Sequence, residues 1–249
     1  MRDRLDKLLL AQGLAPSRER AQALILAGRV LVNQQKVEKP GASVDKTALL
    51  RVLGEEQRYV SRGGFKLEAA LTRWQIDLSG RGCADIGTST GGFTDCMLQH
   101  GAASVVAVDT GYGQIAEGLR RDPRVRLLER TNARYLKPGD LPSGISFVSM
   151  DVSFISATLV LPAVLAAVSA PQAPLEAVIL VKPQFEAGRE QVGKGGIVHD
   201  PVAHQFAIDR VRSAVHDLGA SASELAESPI LGGGGGGTGN REFLLYARF

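Results

Sequence analysis

The stretch Ala84-Asp85-Ile86-Gly87-Thr88-Ser89-Thr90-Gly91-Gly92-Phe93 constrains this chain more than any other. It is an apolar strand that ends near a carboxylate, turns through spaced glycines and opens a helix. Glycine lets the backbone of such a turn approach a ligand closely. The spacing is Gly-x-x-x-Gly-Gly rather than Gly-x-Gly-x-x-Gly. A dinucleotide pyrophosphate favours a helix N-terminus with no carboxylate beside it. Asp85 is therefore expected to repel a pyrophosphate and to attract the ammonium of a methionine moiety. A second apolar run, Val105–Val108, ends at Asp109. That carboxylate can accept hydrogen bonds from both hydroxyls of a ribose. Together the two acids point to S-adenosyl-L-methionine rather than a nicotinamide cofactor. A generic glycine-rich turn would account for the glycines but not for Asp109.

From residue 82 onward, strand and helix patterns alternate. Strands are expected at Cys83–Ile86, Ser104–Val108, Val125–Leu128, Ile145–Met150, Ala177–Val181 and Glu242–Arg248, and helices at Gly92–His100, Gln114–Arg121, Ile155–Val168 and Val202–Leu218. This alternation predicts an α/β body with a doubly wound, mostly parallel, Rossmann-like sheet. The front of the chain differs. Leu5, Leu8 and Leu9 recur at helical spacing up to Gly13, and Ser17 is a good N-cap for a second helix bearing Ala21, Leu24 and Ile25. Val30 to Asn33 then reads as a strand with a turn near Gln34 and Gln35. Residues 1–53 are thus expected to form a small α+β module, 54–61 a linker and 62–249 the α/β body. The run Gly232–Gly237 is expected to be a mobile loop.

Charge divides the same way. Residues 1–66 hold 13 Lys and Arg against 7 Asp and Glu, although the whole chain carries only +3. A basic front on a mildly acidic body suits a polyanion held by the front. Arg4, Lys7, Arg18 and Arg20, on the two front helices, are the candidate phosphate contacts. No stretch of about 20 apolar residues predicts a membrane span. The charged N-terminus lacks the apolar region of a secretory signal. Cys83 and Cys96 have no metal-ligand spacing and are expected to be reduced structural thiols, as in a cytoplasmic protein. No metal site is expected, and His199, His204, His216 and Asp200 receive no role.

Four further polar residues stand at chemically useful places. Lys66 is placed at the start of a helix before the glycine turn, Asp151 and Lys182 end apolar strands, and Glu242 begins the last strand. Ligands bind at such carboxyl strand ends in doubly wound sheets. With them come the stretches RLDKLLLAQGLAPSRERAQALILAGRVLVN, YVSRGGFKL, DIGTSTGGFTD, VDTGYGQ, ERTNARYL, MDVSFIS, LVKPQFE, GKGGIVHDP and GNREFLL. Over nearly its whole length the chain resembles the TlyA family of ribosomal RNA 2′-O-methyltransferases. The front resembles the RNA-binding module named after ribosomal protein S-four, and the body resembles the FtsJ-like class I methyltransferases. The resemblance implies a Lys-Asp-Lys-Glu catalytic set at Lys66, Asp151, Lys182 and Glu242. It implies cofactor contacts from Asp85, Gly87, Ser89, Gly91, Gly92, Phe93, Asp109 and Asn132. The glycine run before Glu242 departs from the less glycine-rich loop of the family.

Physical chemistry then suggests a mechanism. A 2′-hydroxyl must lose its proton as the methyl group arrives. Free lysine, with a pKa of about 10.4, is protonated at neutral pH, but a neighbouring cation and desolvation both favour the neutral amine. Lys182 is therefore expected to be the base, with Lys66 beside it and the two acids orienting the lysines. Arg62, Phe65, Phe154 and Phe185 are candidate contacts to a flipped nucleotide. Two other readings stand beside this one. An RNA-binding ribosome-assembly factor on a non-catalytic methyltransferase fold would lack cofactor affinity. A haemolysin would need an amphipathic membrane helix, a span or alternating barrel strands, none of which is visible. Within the family, longer members act on both ribosomal subunits and shorter ones on the large subunit. The short termini here, with three residues before Arg4 and seven after Glu242, lead to the expectation of a 23S cytidine, with 16S as the further target.

Overall fold

Leu5, Leu8 and Leu9 do face inward from a helix, in a front unit built as β1 (Arg2–Arg4), α1 (Leu5–Ala11), α2 (Arg18–Leu26), β2 (Val30–Val32), β3 (Gln35–Lys36), β4 (Ser43–Asp45) and β5 (Leu50–Val52). The computed structural model describes residues 2–53, 58–168, 174–233 and 239–249, and contacts divide the chain into units 1–58 and 59–249. Ser17 caps α2, its Oγ accepting the Arg20 amide at 3.2 Å. The β2–β3 turn falls at Asn33 and Gln34, both with positive φ, as a two-residue hairpin turn needs. β2 pairs with β3 and β5, and β1 pairs with β4; β1, β4 and β5 had no clear signal in the sequence. Leu5, Leu9, Ala21, Ile25 and Val30 are fully buried between these elements.

The larger unit begins earlier than its sequence pattern suggests. Tyr59, inside the segment assigned as linker, is 1% exposed and packs in the core, and α3 runs Gly63–Arg73. There follow β6 (Gly82–Ile86), α4 (Gly92–Gln99), β7 (Ser104–Val108), α5 (Glu117–Arg120), β8 (Val125–Leu128), β9 (Ile145–Met150), α6 (Leu161–Ala167), β10 (Glu176–Val181), α7 (Pro183–Glu186), α8 (Pro201–Asp217), β11 (Ala222–Glu227) and β12 (Phe243–Arg248).

These strands form one sheet in the order β8-β7-β6-β9-β10-β12-β11. β6 to β10 are mutually parallel, and β12 lies antiparallel between β10 and β11. The parallel strands are predominantly apolar, most plainly at Val105–Val108 and Ala177–Val181, because helices cover both faces. One apolar layer packs Leu67, Leu71, Met97 and Phe147 on one side of the sheet, and the other packs Leu161, Val164, Ile208 and Val211. The chain winds from β6 outward to β8 and then returns to β9 on the other side of β6. The crevice at the carboxyl ends of β6 and β9 is therefore the switch point where ligands bind.

The single helix expected over Ile155–Val168 is broken. A 3₁₀ turn at Ala157–Leu159 precedes α6, with Pro162 in its first turn. Proline lacks the amide donor an interior helical position needs, so a helix readily begins at it. Of the glycine run, Gly232 and Gly233 are described, and the expectation of a mobile loop otherwise falls on residues outside the described ones.

Candidate active site

The turn after β6 owes its shape to Gly87. Its φ is +87°, and a Cβ there would lie 2.4 Å from the Asp151 carbonyl. Only glycine allows this crossing, which brings the end of β6 against the end of β9. Gly91, at φ +95°, then starts α4. At Gly92 a Cβ would meet Ser61 Oγ at 2.2 Å and the Gly64 amide at 2.9 Å. That close approach sets the start of α3, and with it Lys66, beside the turn.

Two adjoining cavities open here. The first, about 390 Å³, is lined by Gly87, Ser89, Asp109, Asn132, Asp151 and Phe154 among others. Asp109 accepts the Ser89 amide on Oδ2 and the Gly111 amide on Oδ1, both at 2.7 Å. It thereby ties the turn after β6 to the end of β7. Asn132 caps a short 3₁₀ turn through its Oδ1, leaving its amide group at the wall. The second cavity, about 300 Å³, is lined by Arg62, Lys66, Gly92, Phe93, Lys182 and Gly233 among others. The two share Gly87, Ser89, Asp151 and Ser153.

Each lysine of the second cavity is held by an acid. Lys66 Nζ donates to Glu242 Oε2 at 2.6 Å, with both residues under 10% exposed. Glu242 reaches this position because its carboxylate lies against the bare α-carbon of Gly232. Gly232 in turn bridges Asn240 by two backbone hydrogen bonds of 2.8 and 3.0 Å. Asn240 is itself pinned, its side chain accepting from the Val198 amide and donating to the Gly196 carbonyl, both at 2.8 Å. The glycine run thus starts with a residue that positions Glu242. Lys182 Nζ lies 2.5 Å from Asp151 Oδ1, a charge contact off the hydrogen-bond axis. It also donates to Ser153 Oγ at 2.7 Å.

Three placements correct the sequence reading. Asp85 has no exposed surface and faces neither cavity; it accepts from Thr94 Oγ1 at 2.6 Å and Ser149 Oγ at 3.2 Å. Burial pushes its carboxyl up to about 7 despite those two donors. It braces the turn from beneath. Phe65 is half-buried, lies edge-on to Tyr59 at 5.2 Å and lines neither cavity. Lys66 stands one turn into α3 rather than at its start. Phe93 touches the second cavity only at its edge, being 4% exposed. Phe154, by contrast, is 92% exposed at φ +65°, with its ring 5.4 Å from that of Phe185. Arg62 donates to the Gly233 carbonyl at 3.1 Å across the mouth of the second cavity.

Sequence reasoning passed over Ser153 and Glu186. Glu186 is 2% exposed and accepts from Ser156 Oγ at 2.5 Å and the Ala157 amide at 2.7 Å. It fastens the segment after Asp151 to the helix after Lys182. The only sequence signal for either residue was its proximity to Asp151 or Lys182.

In the front unit, Arg4 and Arg18 both bind Asp6 and are about half exposed, and Lys7 is exposed. Arg20 is half-buried. His204 Nε2 lies 2.9 Å from the Val198 carbonyl, and Asp200 caps α8. Cys83 and Cys96 are buried and unbridged. Among the described residues, no helix is long and apolar enough to cross a membrane, and no three His, Cys, Asp or Glu side chains gather as metal ligands.

This architecture matches known proteins along its whole length. Residues 59–249 match the FtsJ-like methyltransferase family and residues 3–49 the S4 domain. YqxC of Bacillus subtilis, named as a candidate rRNA methyltransferase, is 48% identical over 98% of this chain and 85% of its own. TlyA of Mycobacterium tuberculosis, named as a 16S/23S rRNA (cytidine-2′-O)-methyltransferase, is 45% identical over 99% of this chain and 90% of its own. A solved structure from Streptococcus thermophilus, named as a candidate hemolysin, superposes with a TM-score of 0.73 at 44% identity, covering 99% of this chain and 88% of that one. The chain therefore belongs to the FtsJ-like methyltransferases, within the TlyA family, and carries an S4 domain at its front.

Proposed function

We propose that this chain transfers a methyl group from S-adenosyl-L-methionine to the 2′-hydroxyl of a cytidine in ribosomal RNA. The observation that carries this reading is the junction of the two cavities. One is walled by the glycine turn and the Asp109 carboxylate, the other by two acid-held lysines, and they meet at Asp151 and Ser153. The first cavity fits the methyl donor. Its glycine turn brings bare backbone to the wall, and its carboxylate and the Asn132 amide suit the hydroxyls and base of a nucleoside. Gly87, Ser89, Gly91, Gly92, Asp109 and Asn132 would hold the donor, with Phe93 packed behind them. The donor supplies a methyl group already activated by a sulfonium.

The protein's share is orientation and proton transfer. Lys182 takes the proton from the 2′-hydroxyl. One of its Nζ bonding directions is occupied by Ser153 and the Asp151 carboxylate lies against it off axis, leaving another for the hydroxyl. Lys66, fixed by Glu242, holds the hydroxyl oxygen. Arg62 meets the backbone of the nucleotide, and Phe154 with Phe185 stacks its base. Residues 1–53 grip the surrounding RNA through Arg4, Lys7, Arg18 and Arg20. The partner is the ribosomal subunit carrying that RNA, and the compartment is the cytoplasm. The name of the mycobacterial relative supports cytidine and both subunits as targets.

The test is methyl transfer in vitro from labelled donor to purified 30S and 50S subunits, followed by mapping of 2′-O-methyl positions. Label at a cytidine ribose in 23S or 16S RNA is expected. Donor binding by calorimetry with no label in either RNA would favour another substrate, and no donor binding would favour a non-catalytic assembly factor.

A further inference from the structure

Asp6 is a fully buried carboxylate on the first turn of α1, and it takes no part in the chemistry above. Its Oδ1 accepts from Arg4 Nε and from the Lys7 amide, each at 3.0 Å. Its Oδ2 accepts from Arg4 Nη2 at 3.0 Å, Arg18 Nε at 3.0 Å and Gln22 Nε2 at 2.9 Å. These donors, the Arg4 guanidinium first among them, hold its carboxyl well below the usual carboxylate range.

The arginines are not consumed by this contact. Two guanidinium charges face one carboxylate, so the cluster keeps a net positive charge. Their side chains are 46% and 45% exposed, whereas that of Asp6 is not exposed at all. Arg4 is gripped along one edge of its fork, leaving Nη1 beside the bare α-carbon of Gly41. Arg18 is gripped by Nε alone, and no bond of its two terminal nitrogens to protein is seen among the described residues. A guanidinium presents its donors in a rigid plane, so fixing one edge aims the others. Aimed N–H edges bind an oxyanion more strongly than the same charge on a free side chain, because the ordering cost is already met.

We propose that Asp6 is a positioning residue for RNA binding, holding Arg4 and Arg18 so that their outer N–H edges receive RNA backbone phosphates. This rests on the reading of the front unit as the RNA-holding surface. An acid at an RNA surface would weaken binding if charge alone counted.

The experiment measures binding of the full-length protein to radiolabelled, deproteinised 23S RNA on filters over a salt series. Asp6→Asn raises the net charge by one yet is expected to lower RNA affinity about tenfold, the scale of one lost charge-assisted hydrogen bond. The slope of log affinity against log salt should fall by about one. Affinity equal to or above that of the parent would overturn the proposal. Arg18→Lys guards against loss of folding in the first variant. It keeps the charge and removes the gripped Nε, and it too should lose affinity about tenfold; unchanged affinity there would count equally against positioning. The double variant Arg4→Ala with Arg18→Ala separates the two levels. If it binds RNA as the parent does, the reading of the front unit as the RNA surface fails. If it loses affinity while Asp6→Asn and Arg18→Lys do not, only the positioning role fails.

Discussion

Glu242 rests its carboxylate against Gly232 so closely that a Cβ on the glycine would lie 1.9 Å from Oε1. The other oxygen of that carboxylate holds Lys66 at 2.6 Å, so the absence of a side chain at residue 232 fixes where the lysine stands. Gly232→Ala is expected to push the carboxylate aside and lower turnover about 10²-fold, the cost typical of a displacement near 1 Å in a catalytic group. Donor affinity, measured by calorimetry, should not change. Parental turnover in this variant would show that Glu242 does not position Lys66.

Lys182→Ala should abolish the proton transfer and cost about 10²–10⁴-fold in turnover while leaving donor affinity intact. Ser153→Ala, which frees one Nζ direction without removing the base, should cost less. Single-turnover methyl transfer measures both. A serine variant more impaired than the lysine variant would reverse their assigned order.

Asp109 binds two loop amides as well as facing the first cavity. Asp109→Ala should therefore weaken donor binding at least about tenfold, since hydrogen bonds to a charged group are lost. Gly91→Val should also weaken it, because φ is +95° and a Cβ would lie 2.4 Å from Leu119 Cδ1. Calorimetric titration that finds both variants at parental affinity would move the donor site elsewhere.

Asp85 gives a prediction of stability rather than catalysis. Its carboxyl is raised from 3.8 to about 7 by burial. Between those values the folded chain binds a proton that the unfolded chain releases. Folding stability contributed by this group therefore falls as pH rises through that window, and the loss is complete above about 7. Asp85→Asn removes the term. Its melting temperature relative to the parent should rise between pH 4 and pH 8 in parallel scans. Donor affinity should persist, because the side chain braces the turn from below. Loss of donor binding with folding intact would restore Asp85 to the cofactor site.

The parallel strands were legible because burial on both faces writes them as continuous apolar runs such as Val178–Val181. β11 was not, because Ala222–Glu227 lies at the sheet edge with half its residues exposed, so polar side chains interrupt the pattern. The acids and lysines stood out by residue type at strand ends. Which side of the sheet Asp85 faces was invisible, since a strand buried on both faces carries no alternation to show which way its polar residue points. Ser153, Glu186 and Gly232 were missed for a related reason. Each matters through contacts with residues outside its own secondary-structure element, and such contacts leave no local periodicity.

Lys66 and Glu242 are 176 positions apart, and β12, which the second of them precedes, slots between two strands already laid down. During synthesis the lysine emerges early, and its partner emerges only after every other strand of the sheet. Pairings so distant in sequence form late in folding. The residues that line the first cavity, between 86 and 160, are therefore all synthesised well before Glu242. On the roles proposed above, catalysis would depend on the docking of the last strand to be made, whereas the cavity for the methyl donor would draw only on earlier segments.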